Sequence, residues 1–139
     1  MREVLIGLFC MLCVGCGSDL ATVTGTVTLD GQPLAGSDML RGTVQFSPED
    51  GHGTKAVGYV DGNGHYDLTS GSRVGVLPGN YLVTISANQI IPSKTPGGAP
   101  SGRLVTPARY ADPKNSGFKA EVGRGRNTFD YALTSDKPR

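Results

Sequence analysis

Between Thr22 and Leu133 the apolar residues recur at every second position in short runs, and no stretch carries the three-to-four-residue spacing of an amphipathic helix. A chain patterned in this way buries its apolar side chains as strands whose two faces differ. Residues 22–29 (TVTGTVTL) set Val23, Val27 and Leu29 on one face and four threonines on the other. Residues 43–47 alternate about Val44 and Phe46, and residues 80–86 about Tyr81, Val83 and Ile85, which are expected to point inward. Segments 55–60 and 65–68 flank an Asp/Gly/Asn loop and read as a β-hairpin. Phe118, Ala120 and Val122 alternate in the next run, and Phe129, Tyr131 and Leu133 in the last. The sum is seven short strands, which predicts an all-β fold built as a seven-stranded antiparallel β-sandwich, with a small barrel as the alternative architecture.

The N-terminus follows a different rule. Residues 4–14 are eleven uncharged, mostly apolar residues behind a short Met-Arg-Glu start. That length suits the apolar region of an export signal and falls well short of the about 20 residues of a membrane-spanning helix. Small residues follow, Gly15 and then Cys16. Cys13-Val14-Gly15-Cys16 resembles the end of a bacterial lipoprotein signal, although Cys13 stands where that pattern has Leu. The resemblance implies cleavage after Gly15 and lipid on Cys16. An ordinary cleaved signal and an uncleaved anchor are the alternatives. All three cysteines, Cys10, Cys13 and Cys16, lie in this region, so the folded part has no thiols from which to make a disulfide. Their spacing alone would suit a metal cluster, but the residues between them are apolar and a fourth thiolate is missing.

The expected organisation is a signal peptide at 1–15, a lipid-anchored tether at 16–21, the sandwich at 22–134 and a polar tail at 135–139. Within the sandwich, residues 87–117 hold five of the nine prolines and read as a long Pro-rich loop, the kind of connection that is typically either functional or disordered.

Several segments resemble carboxypeptidase regulatory-like domains, which have a transthyretin-like (prealbumin-like) sandwich. Residues 23–34 (VTGTVTLDGQPL) are similar to their opening strand and turn, and 44–48 (VQFSP) to their second strand. The hairpin at 61–68 (DGNGHYDL) and the strand at 75–85 (GVLPGNYLVTI) match in order and spacing. The C-terminal half is similar to a version of the domain found in short bacterial predicted lipoproteins, through 107–110 (PARY), Ser116 with Gly117, and 125–133 (GRNTFDYAL). The resemblance covers about residues 22–134 and implies an accessory or binding module, with no catalytic residues to carry over and no cofactor.

The chemistry-bearing residues are sparse. Asp61, Asn63 and Asp67 begin like a calcium loop, but position six is Tyr66 and position twelve Ser72, and turn chemistry accounts for the glycines. His52 and His65 are the only imidazoles, and a catalytic zinc would need a further ligand brought in by the fold. A metal-dependent enzyme is therefore the weakest of three readings, and no metal site is expected. Formal net charge is +1, and no aromatics cluster with the basic residues, which disfavours nucleic acid as a partner. Charge is nonetheless uneven: residues 94–139 carry nine Lys/Arg against four Asp/Glu. Tyr110 with Arg109 looks like an exposed anchor in the long loop, the alternative being that Tyr110 folds back over an end of the sandwich. The leading expectation is a non-enzymatic, lipid-anchored envelope protein with a structural or binding role, its partner the membrane through Cys16. The runner-up is a recognition module for an envelope protein or polysaccharide.

Overall fold

A computed structural model describes residues 19–135, so Gly15 and Cys16, with the rest of the expected signal peptide, lie outside the described residues. Two sheets face each other across one apolar layer. The first is centred on β1 (Thr22–Leu29). The short antiparallel strands β2 (Gln32–Pro33) and β5 (His65–Asp67) lie along one edge of it. The second sheet is centred on β3 (Leu40–Pro48) and β8 (Gly79–Ile91), antiparallel over nine residue pairs from Leu40↔Gln89 to Pro48↔Tyr81. Outward from β3 come β4 (Ala56–Tyr59), β6 (Thr69–Ser70) and β7 (Arg73–Val74). On the other side of β8 lie β9 (Ser101–Leu104) and β10 (Phe118–Val122). A single turn of 3₁₀ helix, η1 (Ala108–Ala111), precedes β10.

The other edge of β1 departs from the antiparallel expectation. The last run of the sequence forms β11 (Arg126–Thr128) and β12 (Tyr131–Leu133), and both lie parallel to β1. The offset is 104 residues in each, Thr22↔Arg126 and Leu29↔Leu133, so the interruption between them is local and not a change of register. Phe129 N–H donates normally to Thr24 O at 2.9 Å. In a regular parallel ladder the Phe129 carbonyl would then accept from Thr26. It turns inward over Gly25 instead and accepts the Tyr66 hydroxyl at 2.6 Å. The Asp130 carboxylate takes its place, accepting both the Thr26 N–H and the Thr26 hydroxyl at 2.9 Å. A Cβ on residue 25 would collide with that carbonyl and come within 2.9 Å of the Tyr66 oxygen, so only glycine fits there.

Local turn chemistry behaves as the residues dictate. Asp30 (φ 52°) and Gly31 (φ 81°) are both left-handed, the type I′ geometry that closes the β1–β2 hairpin. Asp61 Oδ1 accepts the backbone N–H of Asn63 and of His65 at 2.8 and 3.0 Å, which shapes the loop into β5. The strands on either side of that loop do not form the expected hairpin, because β4 pairs with β3 and β6 in the second sheet whereas β5 crosses to pair with β1 in the first.

Of the eight aromatic residues in the described part, all but Tyr59 lie in or against the core. Phe46 sits at the centre, its ring 5.9 Å from those of Tyr81 and Phe129 and 6.5 Å from that of Tyr131. Tyr66 stacks on Tyr131 at 6.5 Å. Val23, Val27, Val44, Val83 and Ile85 fill the space between the sheets with at most 1% exposure. Strand alternation thus places Tyr81, Val83 and Ile85 inward as expected.

Two measurements test this packing. Gly25→Ala is expected to cost about 3 kcal/mol or more in chemical denaturation, because overpacked sites with backbone on the far side relax poorly. A cost below about 1 kcal/mol would mean that the Phe129 carbonyl does not occupy that space. Tyr131 presents a different case: its hydroxyl is buried and meets no partner among the described residues. Burial raises its pKa well above the usual phenol range, and Tyr66 is raised in the same way. A raised folded-state pKa gives stability that is complete below the unfolded value of about 10 and is lost as pH climbs above it. Tyr131→Phe should therefore be neutral or stabilising at pH 7 and should reduce the alkaline loss of stability by about 1.4 kcal/mol per pH unit above pH 10.

Candidate functional site

Residues Arg109 and Tyr110 are brought together, but Tyr110 faces inward. Pro107 leads into η1, which turns the Tyr110 ring onto Phe118, the two planes nearly parallel at 7° and the centroids 5.4 Å apart. Only 6% of the residue is exposed. Its oxygen accepts the Thr134 N–H at 3.1 Å and an Arg109 N–H at 3.0 Å, and lies 3.3 Å from the Thr134 hydroxyl. The guanidinium folds over the same ring at 4.5 Å and also donates to the Thr134 carbonyl at 3.1 Å. Of the two expected placements, exposed anchor or fold-back over an end of the sandwich, Tyr110 takes the second: its apolar ring covers the open end of the core, with its polar tip on the last strand. Burial acts to raise the Tyr110 pKa, but the hydrogen bonds from Thr134 and Arg109, with that residue's charge, outweigh it and lower the phenol below its usual range. The pair is a clasp that ties η1 to the end of β12.

The remaining candidates separate. His52 lies in the β3–β4 turn, where its N–H donates to Asp50 Oδ1 at 2.8 Å, whereas His65 opens β5 in the other sheet. Among the described residues no three His, Cys, Asp or Glu side chains gather as a metal site would require. Asp61, His65, Asp67 and Asp130 do share a shallow concavity with Thr24 and Thr26 on the outer face of the first sheet. That face is polar and rich in carboxylates, and Asp61 and Asp130 already serve backbone amides there.

Regular structure extends into the segment expected to be a loop. β8 continues to Ile91, and Asn88–Ile91 pairs with β9 from Asn88↔Leu104 to Ile91↔Ser101. This two-stranded arm and its connecting residues 92–100 are almost wholly exposed. Asn88, Gln89, Ile90 and Ile91 lack alternation and run into Pro92, so neither period nor composition marks them as strand. Between Asp67 and Asp112 the sequence holds no acidic residue, so the arm carries Lys94 and Arg103 uncompensated along its own length. Ile91 and Leu104 are each 40% exposed on it.

The opposite end of the sandwich receives the N-terminal segment. Ala21 is held between two strand-like hydrogen bonds to Val76, of 2.7 and 2.8 Å, and Thr22 N–H donates to Gly125 O at 2.8 Å. Asp19, Leu20, Leu77, Pro78, Arg124 and Gly125 line a concavity there. Leu20 and Leu77 also border Arg73.

No family model matches this chain, and no curated protein matches it. Among solved structures it is similar to a 9R-lipoxygenase from Cyanothece PCC8801, at 14% identity and a TM-score of 0.37. That alignment takes in 84% of this chain but spans only 16% of the lipoxygenase chain.

The clasp makes a direct prediction. Tyr110→Phe keeps the stack on Phe118 and loses the contacts to Thr134 and Arg109, an expected cost of about 1 kcal/mol by denaturation. Tyr110→Ala also opens a cavity and should cost about 3–5 kcal/mol. Equal, negligible costs for both would show that the ring is not part of the core.

Proposed function

We propose that this is a non-catalytic envelope protein, anchored to a bacterial membrane through lipid on Cys16, whose transthyretin-like sandwich of the carboxypeptidase regulatory type acts as a structural or binding module. The observation that carries the reading is the continuity of lipid signal and fold. Only four residues separate Cys16 from Ala21, the first residue fastened into the sheets. A hydrophobic run that leads into a thiol and then almost at once into a folded domain suits an anchor and its cargo. The polar groups gathered on the sandwich support a non-catalytic role. Asp61, Asp130, Tyr110 and Arg109 each hold a turn, a strand or the end of the chain.

The arm favours a second, compatible reading as a recognition module. Its exposed Ile91 and Leu104 beside Lys94 and Arg103 suit an anionic envelope polysaccharide or an acidic protein surface better than a neutral one. In this reading the arm replaces the Arg109 and Tyr110 pair as the contact surface.

The deciding measurement is the intact mass of the protein extracted from the membrane fraction. A chain that begins at Cys16 and carries a diacylglycerol, with or without a third acyl chain, is the expected result. An unmodified chain cut at another position would remove the anchor and make this a freely diffusing exported domain.

A further inference from the structure

We propose that the end of the sandwich nearest the tether is seated on the bilayer itself, with Val74 and Leu77 in the headgroup layer and Arg73 and Arg124 against lipid phosphates. The inference rests on the lipid anchor of the preceding section and adds an orientation and a membrane-contact surface to it.

Chain length supplies the first constraint. Four residue steps join Cys16 to Leu20, at most about 14 Å when fully extended. A lipid held in the bilayer at Cys16 thus keeps Leu20, and whatever surrounds Leu20, within that distance of the headgroups. The surroundings are known: Leu77, Pro78, Arg124 and Gly125 on one side, Thr54, Ser70 and Arg73 on the other. The arm lies at the other end of β8, whose 13 residues span about 40 Å at strand rise. It cannot reach the same bilayer unless the domain lies flat.

Surface chemistry supplies the second constraint. Val74 is 73% exposed at the β6–β7 hairpin and Leu77 is 50% exposed in the turn before β8. Neither fills the core; Leu77 lines both concavities that hold Leu20, and Val74 precedes Gly75, whose Cα lies against Leu20 and Ala21. Arg73 and Arg124 each line a concavity with Leu77, and neither forms an ion pair among the described residues. Apolar side chains edged by arginines fit the boundary between acyl chains and anionic headgroups. Asp19 apart, the acids of this end are Glu49, Asp50 and Glu121. Burial, and after it the nearby Asp50, raises the phenol pKa of Tyr81, whose hydroxyl donates to Leu77 O at 2.7 Å. Glu49 and Asp50 line a separate concavity with Asn80, and Glu121 is paired with Asn80 in the β8–β10 ladder. Glu49 is bridged by Lys119 at 3.4 Å. Asp19 is the one carboxylate that shares the concavity with Arg124. A flat pose on the first sheet would instead press Asp61, Asp67 and Asp130 toward the lipid phosphates.

The cysteine distribution makes the test clean. Cys10 and Cys13 leave with the leader and the Cys16 sulfur is acylated, so one introduced cysteine is the only free thiol of the mature protein. Full-length L77C, V74C and T95C are matured in the cell, labelled with bimane and reconstituted in phosphatidylcholine–phosphatidylglycerol vesicles containing a headgroup nitroxide lipid. Quenching and a blue shift at positions 74 and 77, with emission retained at arm position 95, are expected. Equal quenching at all three sites, or none at 74 and 77, in protein whose mass shows the lipid and which floats with the vesicles, would overturn the orientation and leave the anchor standing. Protein that neither carries lipid nor floats would overturn both. Adding R73Q and R124Q to L77C should lower quenching in the phosphatidylglycerol vesicles and leave it unchanged in pure phosphatidylcholine. Unchanged quenching in both would remove the arginines from the contact.

Discussion

The sandwich depends on a seam in which its last strands run parallel to its first. β1 is the only strand of the first sheet with partners along both edges, and β11 and β12 close one of those edges. At the middle of the seam one carbonyl, that of Phe129, leaves the ladder to meet the Tyr66 hydroxyl. Three residue types answer that departure. Glycine at 25 leaves room, aspartate at 130 replaces the lost acceptor for Thr26, and tyrosine at 66 satisfies the displaced oxygen. Because Tyr66 belongs to β5 on the opposite edge of β1, its hydroxyl bond ties both edges of that strand together. The same logic repeats at the chain's end, where Asp30 accepts the Ser135 N–H and hydroxyl and Arg109 with Tyr110 holds Thr134. A C-terminal strand on an edge would fray, since terminal residues are poorly ordered unless tied down. Here side chains from distant parts of the sequence hold it.

The composition becomes intelligible in that light. The chain has no tryptophan and no cysteine beyond position 16, and a domain of this size buries about two-thirds of its unfolded surface. Its few aromatics are concentrated where the two sheets meet, around Phe46. The tyrosines differ in how their hydroxyls are used. Tyr66, Tyr81 and Tyr110 each engage backbone of another segment or of a neighbouring turn, whereas Tyr131 has no partner among the described residues. Three of the four inward-facing tyrosines thus act as both core and crosslink, a role that phenylalanine could not fill.

What could be read from the sequence was whatever is local. Strand alternation placed Val23, Val27, Tyr81, Val83 and Ile85, and Asp30 with Gly31 marked a hairpin whose dihedral angles bear it out. The alternation of Phe129, Tyr131 and Leu133 was legible because the side-chain faces survive the break between β11 and β12. The break itself was not, since it arises from Gly25 and Tyr66, more than sixty residues away. Parallel pairing left no trace for a similar reason: a hairpin announces itself in its turn, whereas strands 104 residues apart meet only through the whole fold. Four two-residue or polar strands, at 32–33, 69–70, 73–74 and 101–104, are too short or too polar to show a period. Which of its two placements Tyr110 takes was not legible, because its neighbours read as loop and only Phe118 and Thr134 decide which way its ring turns.

The two ends of the domain are chemically unlike, and β8 joins them. One end holds the N-terminal segment between Val76 and Gly125, and the other extends into the β8–β9 arm. β8 is paired along most of its length, by β3 on one side and by β10 and then β9 on the other, so the arm is a continuation of the sheet's most fully paired strand. A bent or hinged loop at that place would let the arm fold back. A continuous strand instead keeps Arg103, on β9, at a fixed remove from the N-terminal segment. On the proposed reading this rigidity is what the sandwich contributes: it converts a short lipid tether, which fixes only distance, into a fixed direction away from the membrane. The edge strand at the tip is short, begins after Pro100 and carries Arg103, features that discourage indiscriminate strand addition. Recognition there would accordingly rest on the side chains of the arm more than on its free backbone groups.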